Sequence, residues 1–105
     1  MPHYVYILTN KKNGTLYIGE TSNIKTRTSQ HKQKVHPTTF SAKYNLDKLV
    51  YFEILDSRDY GLKREKQFKK WNRNWKIRII EEKNPDWIDL SLNWGLSFEM
   101  MEKEI

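Results

Sequence analysis

Tyr17-Ile18-Gly19-Glu20-Thr21-Ser22-Asn23-Ile24-Lys25-Thr26-Arg27-Thr28-Ser29-Gln30-His31 is the stretch on which the reading of this chain turns. It begins as a strand ending at Gly19 and turns through Thr21 and Ser22, either of which can cap a helix. The helix that follows carries Asn23, Arg27 and His31 at successive i+4 steps, so the three share one face. A phenol at a strand end, facing a guanidinium and an imidazole on the next helix, is a set of tools for handling a phosphate. The plainer account of the same pattern is a solvated helix face, since polar helix faces are the norm.

Working back towards the N-terminus, His3 to Thr9 alternates, with Val5 and Ile7 pointing one way and Tyr4, Tyr6 and Leu8 the other. That is the signature of a half-buried strand. Asn10 to Gly14 is a turn marked by Asn13-Gly14, and Thr15 to Gly19 is the returning strand. The antiparallel hairpin puts Tyr6 and Tyr17 on one face, either as a cross-strand packing pair or as part of a site.

Working forward, the helix is expected to end near Val35, ahead of His36-Pro37. Pro37 to Ser41 reads as a loop, with Phe40, Ala42 and Tyr44 anchoring a short segment beneath it and His36 a loop residue. Leu49 to Leu55 is short and rich in β formers, which predicts a third, central strand. Asp56 or Ser57 caps a second helix over Arg58 to Trp71, on which Leu62, Glu65 and Phe68 form an inward stripe. A lone carboxylate in that stripe needs a partner: a metal, an arginine, a hydroxyl network, or Lys69 one turn on. Trp71 and Trp75 read as core rather than as a base-stacking pair. Trp75 to Glu82 is a further helix stopped by Asn84-Pro85, after which Trp87, Ile88 and Leu90 pack back. From Leu92 to Met100 apolar and polar residues alternate, as in a strand or extended arm, although a poorly formed helix also fits.

A chain of 105 residues is one domain with a thin core, here rich in aromatic area. It has no cysteine, hence no disulfide and no thiolate metal site, which suits a reducing compartment. No apolar run reaches the length of a membrane span, and the strand near the N-terminus leaves no room for a signal peptide, so a cytoplasmic location is expected. The net charge is +6. The cations cluster at Lys63, Arg64, Lys66, Lys69, Lys70, Arg73, Lys76 and Arg78, while the tail after Glu81 is acidic. That balance favours an anionic partner, most often nucleic acid. No internal repeat or phosphate-cradling glycine loop is present.

With these residues assembled, the chain resembles the GIY-YIG nuclease superfamily, in particular its small stand-alone bacterial members that are similar to the nuclease domain of an excinuclease. The first motif stands as Tyr4-Val5-Tyr6, with Tyr4 in place of the family's glycine, and the second is intact as Tyr17-Ile18-Gly19. Arg27 and His31 match the family's arginine and histidine. Leu49 to Glu53, Arg64 to Trp71 and Asn84-Pro85-Asp86-Trp87 look like the stand-alone branch.

The resemblance implies an α+β fold, a three-stranded antiparallel sheet flanked by helices, with a nuclease domain over residues 1–90 and a C-terminal extension over 91–105. It implies a metal-dependent endonuclease acting on DNA, by nicking or by recognising a structure, whose alternative is a non-catalytic nucleic-acid-binding module. Glu65 would hold Mg²⁺ or Mn²⁺. Tyr17 would act as or orient the general base, and Arg27 would stabilise the phosphate charge. Tyr6 would bond the water or phosphate, and His31 would assist proton transfer. Lys63, Lys66, Lys69, Lys70 and Arg73 would neutralise neighbouring phosphates, and Asn84 is the candidate for the family's late asparagine. The extension lies outside the resemblance; as an apolar arm it is expected to dock on its own chain, on a protein partner or in a homodimer.

Overall fold

The computed structural model describes residues 2–34 and 39–93. Its elements run β1 (His3–Thr9), β2 (Leu16–Thr21), α1 (Ile24–Lys32), α2 (Phe40–Lys43), β3 (Lys48–Leu55), α3 (Arg58–Lys70), α4 (Arg73–Lys83) and a 3₁₀ turn (Leu90–Asn93). The three strands form one antiparallel sheet in the order β2-β1-β3. The expectation for His36, and that for the alternating segment beyond Asn93, lie outside the described residues, while Leu92 and Asn93 at its start are in the 3₁₀ turn and not in a strand.

The central strand is β1, not β3. Val5, Tyr6, Ile7 and Leu8 are all fully buried, so β1 is covered on both faces rather than half-buried. A strand with partners on both sides and helices above and below has no solvent face to alternate towards. β3 reads as central from sequence because Leu49, Val50, Tyr51 and Phe52 are equally buried, although it lies at an edge. That edge is covered by the chain after α4. The β1–β3 register shifts between Ile7 and Leu8 and passes over Val50. The Val50 carbonyl is taken by Asn84 Nδ2 at 3.0 Å, and the Leu49 amide donates to Asp89 Oδ1 at 3.2 Å. A bulge and two side-chain bonds thus satisfy backbone groups that an edge would leave to water.

Parity in the ladders separates the two faces of the sheet. Tyr6 faces the same way as Tyr17, since Tyr6 pairs with Gly19 and Leu8 with Tyr17. α1 lies on this face, where His31 meets both tyrosines. α3 covers the other face, where Gly61 sits against His3, Arg64 meets Glu53, and Phe68 meets Tyr51. The helix is anchored there by Phe68, which is fully buried. No helix among the described residues is long and apolar enough to cross a membrane.

Local chemistry sets the boundaries and corrects several expectations. In the hairpin only Asn13 takes the left-handed conformation, at φ 57°. β2 continues past Gly19 to Thr21. The cap of α1 is Asn23, whose side chain accepts from the Thr26 amide, rather than Thr21 or Ser22; Thr21 Oγ1 instead accepts from the Asn23 amide. Ser57 caps α3, accepting from the Tyr60 amide. α1 stops at Lys32, and the expected loop contains α2, capped by Thr39. Asn72 starts a new helix between the two tryptophans. Trp71 therefore stacks on Phe68 at 4.7 Å, while Trp75 is 58% exposed and is not core. Trp87 and Leu90 return to the core as expected, but Ile88 stays exposed.

Candidate active site

The site grows from the pairing of Tyr6 with Gly19. Tyr6 is fully buried and its ring crosses over Gly19, where an added Cβ would lie 2.5 Å from Tyr6 Cζ and Oη. Glycine is required at this position for the space it leaves, since its φ is not positive. The ring is thereby aimed from the centre of the sheet towards the β2 edge. Tyr17 lies beside it, with ring centroids 6.2 Å apart.

α1 supplies the other two groups. His31 Nε2 and Tyr6 Oη are hydrogen-bonded at 3.0 Å, and the His31 ring is 5.4 Å from that of Tyr17. Arg27, one turn earlier, is exposed and places its charge near the Tyr6 hydroxyl. The structure therefore brings Tyr6, Tyr17, Arg27 and His31 together. Asn23, on the same sequence face, is occupied as the helix cap.

Burial raises the Tyr6 pKa well above the ordinary tyrosine value, and Tyr17 adds to the shift, while the charge of Arg27 works against it. Tyr6 is consequently a neutral hydroxyl at any physiological pH, able to donate and to accept but not to act as a base. Tyr17 is only half-buried and lines a cleft with Arg27, Gln30, His31, Lys34, Thr39, Ser41 and Ala42. Of the two phenols it is the one that a water or phosphate can reach.

Sequence reasoning missed Ser41. Its hydroxyl, in a residue that is 3% exposed, bonds His31 Nδ1 at 2.8 Å, and Thr39 Oγ1 lies 3.3 Å from it. The imidazole is therefore held at both nitrogens, by Tyr6 on one side and Ser41 on the other. This fixes the ring plane and links the nitrogens in one hydrogen-bonded chain. No fixed spacing announces such a contact; the only cue is the Thr39 cap that makes α2 a helix and turns Ser41 inward.

Arg27 also lines a second cleft, of about 520 Å³, together with Pro2, His3, Glu20, Thr21, Ser22, Ser57 and Arg58. This cleft joins the start of α1 to the start of α3. His3 Nε2 and Glu20 Oε2 are hydrogen-bonded within it.

Glu65 comes from a different element. It is on α3, behind the opposite face of the sheet, with 18% of its side chain exposed and its carboxylate 3.4 Å from Lys69. The i+4 ion pair anticipated as the plain account is thus present. Among the described residues no three His, Cys, Asp or Glu side chains gather into a metal-holding group. One carboxylate with an open side still fits Mg²⁺, which takes hard oxygen ligands and keeps most of its waters.

The basic residues divide. Lys63, Lys66, Lys69 and Lys70 are exposed on α3. Arg73 is committed to the hairpin, donating to the carbonyls of Asn13 at 2.5 Å and Gly14 at 2.7 Å. Asn84 is buried, with its amide shared between Val50, as above, and the backbone of Ile88. Its polar atoms hold the edge of β3 and the turn after α4, so a role in chemistry finds no support in its surroundings.

Comparison with known proteins agrees with this fold. A family model of the GIY-YIG catalytic domain matches residues 2–78. The UPF0213 protein of Syntrophus aciditrophicus is 38% identical over 84 residues, covering 80% of this chain and 94% of that one. The UPF0213 protein of Clostridium perfringens is 37% identical over 86 residues, 78% of this chain and 86% of its own. The solution NMR structure of a UPF0213 protein from Bacillus halodurans matches with a TM-score of 0.50 at 26% identity, covering 80% of this chain and 87% of that one.

Proposed function

This chain belongs to the GIY-YIG catalytic-domain family, and from that premise we propose that it is an endonuclease hydrolysing phosphodiester bonds in DNA, one strand at a time, with Mg²⁺ or Mn²⁺. The observation that carries the proposal is the Tyr6–His31–Ser41 hydrogen-bonded chain opening beside Tyr17 and Arg27. A purely structural tyrosine in a core needs one partner; this one is bonded to a histidine that itself lines a cleft with Tyr17 and Arg27.

In this reading the scissile phosphate sits in the cleft of Tyr17, Arg27 and His31, beside the β2 edge that α3 also contacts. Arg27 stabilises the charge that develops on its oxygens. Tyr17 orients the attacking water and accepts its proton as its own phenolic proton passes on to the neighbouring His31. Tyr6, kept neutral by burial, fixes His31 and donates no charge of its own. His31, held by Ser41, shuttles the proton away from the reacting oxygens. Glu65 is the residue that would hold the cation, which when bound supplies Lewis-acid charge to the phosphate. Lys63, Lys66, Lys69 and Lys70 offer sequence-independent contacts to neighbouring phosphates.

The test is cleavage of a labelled panel (duplex, single-stranded, nicked, flap and branched DNA, and one RNA) with Mg²⁺, Mn²⁺ or EDTA. Metal-dependent cutting of DNA that Tyr17→Phe and Glu65→Ala both lose is the expected result. Tight binding across the panel with no cutting in either metal would overturn the proposal.

A further inference from the structure

Two large aromatic rings are exposed on and just after α2, the helix that also holds His31 in place. Phe40 is 49% exposed and Tyr44 is 53% exposed, and their ring centroids lie 4.7 Å apart at an interplanar angle of 42°. The rings sit one helical turn apart and face away from the core, since the buried residues of α2 are Ser41 and Ala42. They therefore add little to stability while exposing apolar area. Neither ring lines the cleft of Tyr17 and His31, but the segment that bears them does, whereas Tyr60, Trp75, Ile88 and Leu92 lie on other segments.

What sets the pair apart is its continuity with the catalytic cleft. Thr39, Ser41 and Ala42, which flank Phe40 along the chain, all line that cleft together with Tyr17, Arg27 and His31. Cations frame the pair. Lys34, a lining residue of the cleft, has its ammonium 2.5 Å from the side-chain oxygen of Asn45, next to Tyr44. Lys43 is exposed between the two rings in sequence, and α2 carries no acid. Flat apolar rings on a cationic segment that adjoins a cleft holding Arg27, His31 and Lys34 are the arrangement on which nucleobases stack while their phosphates are held nearby.

Resting on the nuclease reading above, we infer that Phe40 and Tyr44 form a nucleobase-stacking subsite, which takes an unpaired base of the strand whose phosphate occupies the Tyr17–His31 cleft. A base within a duplex has both faces covered by its neighbours, so the subsite selects single-stranded or locally unpaired nucleic acid. Selection comes from the stacking of rings and not from reading base edges, so it tolerates different bases.

The experiment uses the full chain in EDTA, where no cutting depletes the probe. The anisotropy of a fluorescein-labelled oligothymidylate is compared with that of a duplex of equal length. Phe40→Ala and Tyr44→Ala are each expected to weaken single-strand binding roughly tenfold, with the duplex changed by less than about twofold. Phe40→Tyr and Tyr44→Phe, which keep the rings, are expected to bind like the parent. An oligonucleotide carrying bromodeoxyuridine is expected to photo-crosslink to Phe40 or Tyr44. Unchanged binding in the alanine variants, an equal loss for both probes, or crosslinks confined to another aromatic such as Trp75 would overturn the subsite. Parent protein that cuts DNA while its alanine variants bind unchanged removes the subsite and leaves the nuclease. Stacking that is lost in the variants of a protein that never cuts removes the nuclease and leaves the subsite.

Discussion

Two neighbouring strands each bury a tyrosine, and the two are used in opposite ways. Tyr6 and Tyr51 are both almost wholly buried, and burial is the main cause that raises the pKa of each. Tyr51 donates to Glu53 Oε1 at 2.7 Å. Glu53 is in turn gripped by Arg64 Nε and Nη2, both at 2.9 Å, and the guanidinium lies over the rings of Phe68 and Trp71. Every charge there is answered by another within the network, and the side of Arg64 that faces a cleft is bonded to Gln67. Tyr6 meets a histidine instead, and its chain of bonds ends at a cleft lined by Tyr17 and Arg27. Burial of a phenol therefore says nothing of function by itself. The informative difference is whether its partners end in a neutralised ion pair or open towards solvent.

The largest effects should come from exchanging the acids on the α3 side of the sheet. Glu65→Ala is expected to lower metal-dependent cleavage by about a thousandfold or more while shifting the melting temperature little, because its partner Lys69 is 57% exposed. Glu53→Ala is expected to do the reverse. It leaves the Arg64 charge and the Tyr51 hydroxyl without their partner, at about 2–3 kcal/mol of stability, and cleavage per folded molecule stays near the parent's. Thermal denaturation and cleavage measured on the same preparations check both. A Glu65 variant that still turns over in metal would remove that residue from the cation's site.

Those acids also show what is legible in the sequence. The period of Leu62, Glu65 and Phe68 finds α3, but its buried residues are Gly61 and Phe68, and Leu62 and Glu65 are only half-buried. The hairpin and the shared face of Tyr6 and Tyr17 follow from period-two alternation. Strand order does not follow, because apolar content reports burial and not the number of neighbours. β3 is an edge strand made to look central by Asn84, Asp89 and the chain between them. Trp71 and Trp75 look equivalent in the sequence and are not, since a four-residue spacing means one face only within one helix, and Asn72 caps a new one between them. Four of the five catalytic candidates converge. The serine that fixes one of them stays hidden, because the His31–Ser41 bond links separate elements through no recurring spacing.

A smaller effect tests whether the open network works as a chain. His31→Ala is expected to lower kcat by about a hundredfold, within the range for a lost proton-transfer group. Ser41→Ala keeps the imidazole but removes the serine's bond to its Nδ1, and is expected to lower kcat by only about tenfold with KM nearly unchanged. Ser41→Thr keeps the hydroxyl and is expected to recover most of the loss. If Ser41→Ala cuts as fast as the parent, the second bond to His31 is packing alone, and the contrast with the closed network loses one of its links.

The smallest effect concerns protonation, and it applies to both tyrosines. Each has a folded-state pKa above its unfolded value of about 10, so the folded protein holds the phenolic proton more tightly. Stability from this source is fully present below pH of about 10 and falls as pH rises beyond it, by about 1.4 kcal/mol per pH unit for each tyrosine. Urea denaturation midpoints should therefore be level through neutral pH and decline above that point. Tyr51→Phe is expected to remove about half of this tyrosine contribution to the decline, to cost about 1 kcal/mol at pH 7 through the lost bond to Glu53, and to leave cleavage unchanged. Tyr6→Phe should remove the other half, but with a fall in cleavage, because His31 loses the hydroxyl that positions it. The alkaline slope thus treats the two buried phenols as equals while the rate does not. An unchanged slope in both variants would place the alkaline transition on other groups, and equal rates in both would dissolve the distinction between the closed and the open network.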